Sequence, residues 1–212
     1  MMRKKFEEEL NNLNTELISM GSMCEEAINF VIEEMNASDF SDDLYDKVAD
    51  LEDATDKKEK QIESLCLKLI FSQQPVASDL RFISAILKMI SDLERIGDQA
   101  LDIADLYKEF DSKIALNNTD LKTMALVVSS MVKDSVESFV RKDVAIANSV
   151  MKRDNEVDDI FLSIKKQVID MIADDSNNAE GIVDILMIAK YLERIGDHSV
   201  NIAEWVTFAI NG

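Results

Sequence analysis

Acidic side chains recur in this sequence at the four-residue spacing that places two carboxylates on one face of a helix. Glu94 and Asp98 form one such pair, and Asp102 continues the same row. Glu193 and Asp197 form a second pair. Like charges at this spacing cost roughly a few tenths of a kcal/mol on an isolated helix. Because the sequence contains these rows despite the repulsion, we infer that the clustered negative charge has a function.

The two acidic pairs belong to an internal repeat. The segments DLERIGDQALDIAD (92–105) and YLERIGDHSVNIAE (191–204) share six consecutive identities followed by Ile-Ala, at an offset of 99 residues. Two further acidic pairs lie one helix earlier at an offset of 102 residues, namely Glu52 with Asp56 and Asp154 with Asp158. The small change of offset is what loops of slightly different length would produce. Two copies of one helical unit therefore explain the pattern.

A glycine immediately precedes the second carboxylate of each LERIGD motif. Glycine inside a helix costs roughly 0.5–1 kcal/mol relative to alanine, so Gly97 and Gly196 predict the close approach of another helix. We expect that helix to carry the other acidic pair of its repeat. Facing carboxylates supply the hard oxygen ligands that bind iron, manganese or magnesium. The predicted metal ligands are Glu52, Asp56, Glu94, Asp98, Asp154, Asp158, Glu193 and Asp197.

Solvated helix faces with local ion pairs are the alternative interpretation of these rows. Arg95 and Arg194 each lie three residues before the aspartate of their motif, where an i,i+3 contact could neutralise it. Ferritin-type di-iron chemistry needs Glu-x-x-His pairs on two helices, whereas this chain has one histidine, His198, five residues after Glu193. We expect His198 to be a surface group or a group that supports a ligand. The sequence offers neither a nucleophile triad nor a glycine-rich phosphate loop.

Residues that favour helices dominate the segments that carry these motifs. The 212 residues are 47% hydrophobic and 31% charged, with five glycines and one proline, and the apolar residues recur at helical spacing. We predict Ser38 or Ser41 as the N-cap of a second helix and Pro75 in the first turn of a third. The predicted fold is all-α, a tandem repeat of two three-helix bundles with six long antiparallel helices. The predicted domains are residues 1–112 and 113–212.

The charge balance limits the partners. The chain has 42 acidic and 23 basic residues, for a net charge of −19, which repels nucleic acid and anionic lipid and favours divalent cations or basic protein patches. We expect the two cysteines, Cys24 and Cys66, to be buried thiols. No apolar run approaches the ~20 residues that cross a bilayer, and the N-terminal segment has no signal-peptide apolar region. We therefore predict a cytoplasmic protein.

Taken together, these motifs resemble the PhoU family over nearly the whole chain. The first-repeat signature is matched by QQPVASDLRF (73–82) and ISDLERIGDQALDIAD (90–105), and the second by RDNEVDD (153–159) and KYLERIGDHSVNIAEWV (190–206). The resemblance implies twin three-helix bundles whose E/D-x-x-x-D motifs hold multinuclear metal clusters. The eight carboxylates named above are the matching positions, and Fe, Mn, Mg, Ni or Zn are the expected cofactors.

The resemblance also implies a role. PhoU proteins damp phosphate-starvation signalling by acting between a phosphate ABC transporter and a membrane sensor histidine kinase. We therefore expect a homodimeric negative regulator of phosphate uptake that is no enzyme and that reaches the membrane through its partners. A metal-dependent hydrolase or phosphatase, or a metal-storage protein, that uses the clustered carboxylates is the alternative.

Overall fold

A computed structural model describes residues 2–35, 41–73, 75–109 and 119–212 of the chain. The regular structure within these ranges is helical, which confirms the predicted all-α fold. A short 3-10 turn, Ser176–Asn178, separates the last two helices. The long helices are α1 (Met2–Glu34), α2 (Asp42–Gln73), α3 (Ala77–Glu109), α4 (Leu121–Arg141), α5 (Val144–Asp174) and α6 (Ala179–Asn211).

Local polar residues begin two of these helices as the sequence predicts. The Ser41 hydroxyl accepts a hydrogen bond from the Leu44 amide at 3.4 Å, so Ser41 caps α2. The other predicted cap, Ser38, lies outside the described residues. At the start of α5, Asp143 Oδ1 accepts hydrogen bonds from the amides of Ala145 and Ile146 at 2.8 and 3.3 Å.

The expected position of Pro75 is wrong. The helix α3 begins at Ala77, and its first hydrogen bond runs from the Leu80 amide to the Val76 carbonyl at 2.9 Å. Val76 is therefore the flanking residue, and Pro75 lies one position further out, in the connection from α2. Its fixed φ and missing N–H suit this extended position as well as they suit a first helical turn.

The six helices pack around one continuous apolar core, because every helix presents an apolar stripe at 3.6-residue spacing. The helices α1, α2 and α3 form one bundle, and α4, α5 and α6 form the other. Cys24 and Cys66 are buried in the first bundle as free thiols, as expected. Burial raises the pKa of each thiol to about 12, so neither is reactive at neutral pH.

The two bundles join through two antiparallel helix pairs, α3 against α6 and α1 against α4. In the second pair the two helices lie close together at Gly21, where a Cβ would be 2.7 Å from Cγ2 of Val136. Between the bundles, the rings of Phe82 and Phe139 stack with centroids 4.6 Å apart. The predicted domain boundary after residue 112 lies outside the described residues.

This arrangement gives the molecule two opposite faces. The face formed by α3 and α6, flanked by α2 and α5, carries the acidic motifs, and we refer to it as the acidic face. The face formed by α1 and α4 lies on the other side of the two bundles. None of the helices in the described ranges is both long and apolar enough to cross a lipid bilayer.

Candidate metal-binding seams

Two glycines set the distance between the helices that carry the carboxylates. A Cβ on Gly97 of α3 would lie 3.5 Å from Cγ2 of Thr55 in α2, and a Cβ on Gly196 of α6 would lie 3.5 Å from Cγ1 of Val157 in α5. The two glycines are 99 positions apart and their two neighbours 102 apart, the offsets of the sequence repeat. The prediction that each glycine faces the helix with the other acidic pair is therefore confirmed.

The first seam is the row of carboxylates between α2 and α3. One carboxylate oxygen from each of Asp56, Glu59 and Glu94 lies within 4.8 Å of the other two. The Ser91 hydroxyl donates a hydrogen bond to Glu59 at 3.0 Å, which holds this side chain at the seam. Three oxygens at this separation fit a hard divalent cation. The members of the first seam are Glu52, Asp56, Glu59, Glu94, Asp98 and Asp102.

Repulsion among the carboxylates of the first seam helps to raise the pKa of two of them. The pKa of Glu52 is raised by desolvation and then by the negative charges of Asp98 and Asp56. The pKa of Glu94 is also raised by desolvation and by Asp98, with the Arg95 guanidinium opposing the shift. Both predicted pairs, one on each helix, therefore act on each other. A cation placed among them would relieve this repulsion.

Local ion pairs also occur in this seam, as the alternative interpretation expects. Lys60 Nζ lies 2.6 Å from Asp56 Oδ2, and Arg95 Nη1 lies 3.0 Å from Asp98 Oδ2. The side chains of Lys60 and Arg95 are 67% and 57% exposed. Such exposed pairs contribute little stability and are readily displaced. The two basic side chains therefore neutralise only part of the charge of the six carboxylates, and the seam keeps an excess of negative charge.

The second seam consists of Asp154 and Asp158 on α5 and Glu193 and Asp197 on α6. The pKa of Asp154 is raised by desolvation and then by Asp158 and Glu193. The pKa of Asp197 is raised by desolvation, Glu193 and Asp154, while the nearby ammonium group of Lys190 lowers it. All four predicted carboxylates thus face one another. Within the described residues, however, no three of them bring ligand atoms within 4.8 Å of one another.

A lysine and a phenylalanine distinguish the second seam from the first. Lys190 Nζ forms an ion pair with Glu193 and lies 5.7 Å from the centroid of the Phe161 ring. By the offsets of the repeat, Lys190 takes the place of Ser91 and Phe161 the place of Glu59. The second seam therefore contains its own cation where the first seam has an additional carboxylate.

His198 is partly buried and connects the two repeats, while its supporting a metal ligand stays a prediction. Its Nδ1 lies 2.9 Å from Oδ1 of Asp92 in α3, and the Asn201 amide donates to the same oxygen at 3.0 Å. Arg194 likewise acts across the boundary, where its positive charge opposes the raised pKa of Asp102. In the described part of the chain, Arg194 forms no ion pair with Asp197. The expected neutralisation of Asp197 within that motif is therefore wrong for the second repeat.

Sequence reasoning missed Glu59, Lys190 and the bridge from Asp92 to His198. Glu59 could have been found, because it lies three residues after Asp56 and therefore continues the row on α2. Lys190 lies three residues before Glu193 and carries the same kind of signal. The bridge between repeats has no such signal, since it depends on the contact between α3 and α6.

Two bundles of three helices, each with facing carboxylate pairs in the same register, define the class of protein to which this molecule belongs. The sequence profile of the PhoU domain matches the chain twice, at residues 17–107 and 121–206. The two matches correspond to the two bundles. The chain therefore belongs to the PhoU family.

Individual relatives agree with this assignment over most of their length. The phosphate-specific transport system accessory protein PhoU homolog of Clostridium acetobutylicum is 35% identical over 214 residues, covering 100% of this chain and 97% of the relative. The homolog of Pseudomonas aeruginosa is 30% identical, covering 99% and 86%. The crystal structure of PhoU from Pseudomonas aeruginosa superposes with a TM-score of 0.89 over 98% of this chain and 99% of that one, at 30% identity.

A second solved structure gives the same result at lower identity. The regulatory protein PhoU of the phosphate transport system from Streptococcus pneumoniae matches with a TM-score of 0.89 at 25% identity, covering 98% of this chain and 97% of that chain. The double-bundle architecture is thus shared among relatives that differ at most positions. The present chain has this architecture and belongs to the same family.

Proposed function

We propose that this chain is a cytoplasmic negative regulator of phosphate uptake and phosphate-starvation signalling. It acts as an adaptor between a phosphate ABC transporter and a sensor histidine kinase, as a homodimer and without catalytic activity of its own. The names of its relatives, which are accessory proteins of the phosphate-specific transport system, support the link to a transporter.

The observation that carries the proposal is the presence of both seams on one face. The first seam on α2 and α3 and the second on α5 and α6 flank the helix pair that the Asp92–His198 bridge connects. In a chain of net charge −19, this face attracts basic surfaces of a partner and accelerates their encounter. A partner with Lys- or Arg-rich cytoplasmic segments is therefore the favoured occupant.

Metal binding is the second part of the proposal. Asp56, Glu59 and Glu94 would hold a divalent cation such as Mn²⁺, Fe²⁺ or Mg²⁺, with Glu52 and Asp98 close enough to take part. Support comes from the oxygen separations below 4.8 Å and from the repulsion that raises the pKa of Glu52 and Glu94. A bound cation offsets this repulsion and, because it binds only the folded chain, stabilises it.

The regulatory proposal is tested in cells and with purified partners. Deleting the gene for this chain should leave a phosphate-starvation reporter active in phosphate-replete medium. The purified chain should bind the cytoplasmic part of the kinase or the transporter ATPase, and Asp98→Lys combined with Asp197→Lys should weaken that binding. Glu26→Lys combined with Glu33→Lys, both at exposed positions of α1 away from the seams, is the control of equal charge change.

If the deletion strain still repressed the reporter in phosphate-replete medium and the purified chain bound neither partner, the proposed adaptor role would be contradicted. A phosphatase screen with metal-loaded protein addresses the alternative, since turnover that Asp98→Lys abolishes would favour a metal-dependent hydrolase. Both assays use the intact chain.

The metal proposal has a separate test. Elemental analysis after dialysis against Mn²⁺ should find more than one ion per chain, and the Asp98→Lys and Asp197→Lys variants should lose most of it. In chelator, Asp98→Asn should leave the melting temperature unchanged or raise it, because it removes one of the repelling charges. Metal content that is unaffected by these substitutions would contradict the proposal.

A further inference from the structure

On the face formed by α1 and α4, opposite the seams, the middle of α1 carries little charge. Residues 10–24 contain one charged residue, Glu16, whose carboxylate lies 2.7 Å from the ammonium group of Lys58 on α2. The exposed side chains of this segment belong to asparagine, threonine, isoleucine and serine residues. On a chain of net charge −19, such a surface is where a second acidic protein meets the least repulsion.

A groove of about 320 Å³ runs between α1 and α4 on this face. Its lining includes Gly21 and the buried side chain of Val136, which lie in close contact. Two large apolar side chains, Ile18 and Val140, line the groove with 39% and 43% of their surface exposed. Apolar surface in a concave site between helices is typical of a position that another helix covers.

The charged groups along the groove are already paired with one another. Lys133 Nζ lies 3.6 Å from Glu25 Oε1, and Arg141 Nη2 lies 2.5 Å from Glu137 Oε1. A basic partner therefore finds no excess of negative charge here, in contrast to the seams. The groove is suited instead to a surface that is itself neutral and apolar.

We propose that this groove is the contact surface between two copies of the chain, which gives a location to the homodimer proposed above and rests on it. A two-fold interface brings the same patch of both subunits together, and residues 10–24 supply the neutral surface that the groove requires. In this arrangement Ile18 of each copy packs against Val140 of the other. The four charges of the groove can also exchange partners across the two-fold axis, so none is left unpaired.

The available area is sufficient for such a contact. The 21 residues of α4 give a helix about 30 Å long, because an α-helix rises 1.5 Å per residue. Two helices packed about 8–10 Å apart, with their side chains, present a face roughly 20 Å wide. The product, about 600 Å² in projection, is close to the ~800 Å² that each partner of a standard interface buries. Both acidic faces remain on the outside of the dimer.

Sedimentation velocity of the full chain over a concentration series tests the proposal. The wild-type chain should be dimeric, and Ile18→Glu combined with Val140→Glu should weaken the dimer at least roughly tenfold for each buried charge. The control combines Leu162→Glu with Val183→Glu, whose side chains on α5 and α6 are 59% and 44% exposed. Ser22→Glu, also exposed in this segment, serves as a second variant if the double variant fails to melt cooperatively.

Salt separates this contact from the one proposed for the acidic face. Raising the NaCl concentration should strengthen the dimer, since it screens the repulsion between two acidic chains, and should weaken binding of a basic partner. A wild-type chain that regulates phosphate uptake but stays monomeric would overturn this proposal together with the homodimer, and would leave the adaptor role intact. A dimer that both groove variants leave unchanged would place the contact elsewhere and equally overturn it.

Discussion

The two acidic seams occupy equivalent positions in the repeat, yet they differ in net charge and shelter. The first seam has six carboxylates, and the four that sequence reasoning predicted are all partly buried. In the second seam, Asp158 and Asp197 are exposed, and Lys190 supplies a positive charge against Glu193. Asn201 also replaces the carboxylate of Asp102, its equivalent in the first repeat.

This difference shows that a repeated motif does not guarantee a repeated site. The LERIGD segments are identical, but the positions one turn before them and on the neighbouring helix have changed: Ser91 corresponds to Lys190, and Glu59 to Phe161. We therefore expect the first seam to bind a divalent cation more tightly than the second. The second seam is partly neutralised by its own lysine, so it is less dependent on metal.

Exchanging the distinguishing residues should have the largest effect. In the second seam, Phe161→Glu combined with Lys190→Ser removes one positive charge and adds one negative charge. Because each such charge is worth about 1–2 kcal/mol near a divalent ion, Mn²⁺ affinity there should rise roughly 100-fold. The reciprocal variant, Glu59→Phe with Ser91→Lys, should lower the affinity of the first seam by a similar factor. Calorimetric titration with Mn²⁺ measures both affinities. Unchanged affinities would show that these residues do not cause a difference between the two seams.

The glycines should respond alike in both halves, because their packing is the same. Gly97→Leu and Gly196→Leu should each lower the free energy of unfolding by about 1–3 kcal/mol, since the added atoms would meet Thr55 or Val157. Alanine at either position makes only ordinary contacts and should raise stability by up to ~1 kcal/mol. Chemical denaturation measures these changes. A leucine variant as stable as the wild-type chain would show that the glycine does not lie against the opposite helix.

Loss of the additional carboxylate alone should have a smaller effect. Glu59→Gln keeps the size of the side chain and its contact with Ser91 but removes one charge from the group of three oxygens. Mn²⁺ affinity should fall roughly tenfold, with the second seam unaffected. Glu63→Gln, one turn further along α2 and exposed, is the matched control. Equal losses from both variants would mean that Glu59 contributes only long-range charge and is not a ligand.

A buried carboxylate in the first bundle gives the smallest expected effect. Glu34 is 8% exposed, and burial raises its pKa above the usual 4.5, an effect that the hydrogen bond from the Ser41 amide partly opposes. Because the folded chain holds this proton more tightly than the unfolded one, the charged form costs stability at neutral pH. That cost disappears as the pH falls through the raised pKa of Glu34 towards 4.5.

Glu34→Gln should therefore raise the melting temperature at neutral pH and make little difference in acid. Glu33→Gln, its exposed neighbour, controls for the loss of one charge from an acidic chain. Melting curves of the three proteins over a pH series provide the measurement. A gain that does not depend on pH would show that the ionisation of Glu34 is not its cause.

Much of the architecture follows from the sequence, because helical periodicity and capping are local properties. The apolar spacing on six segments, the Ser41 cap and the 99-residue repeat were sufficient to predict two three-helix bundles. The same periodicity identified which carboxylates share a helix face. Gly97 and Gly196 then indicated which helices face each other. A glycine inside a helix lowers its stability, so its presence in both repeats points to a neighbouring helix that lies close by.

Contacts between helices that are distant in the sequence were decided by the tertiary structure. Leu80 lies on the apolar stripe predicted for α3 but is 41% exposed. The close contact of Gly21 in α1 with Val136 in α4 is marked by no motif. Spacing within one helix fixes the direction of a side chain, whereas its partner depends on how whole helices rotate and pack. For that reason the spacing along each helix identifies which carboxylates share a face, and also places Glu59 beside Asp56 and Lys190 beside Glu193. Only the folded chain brings Glu59 within reach of Glu94 and His198 to Asp92.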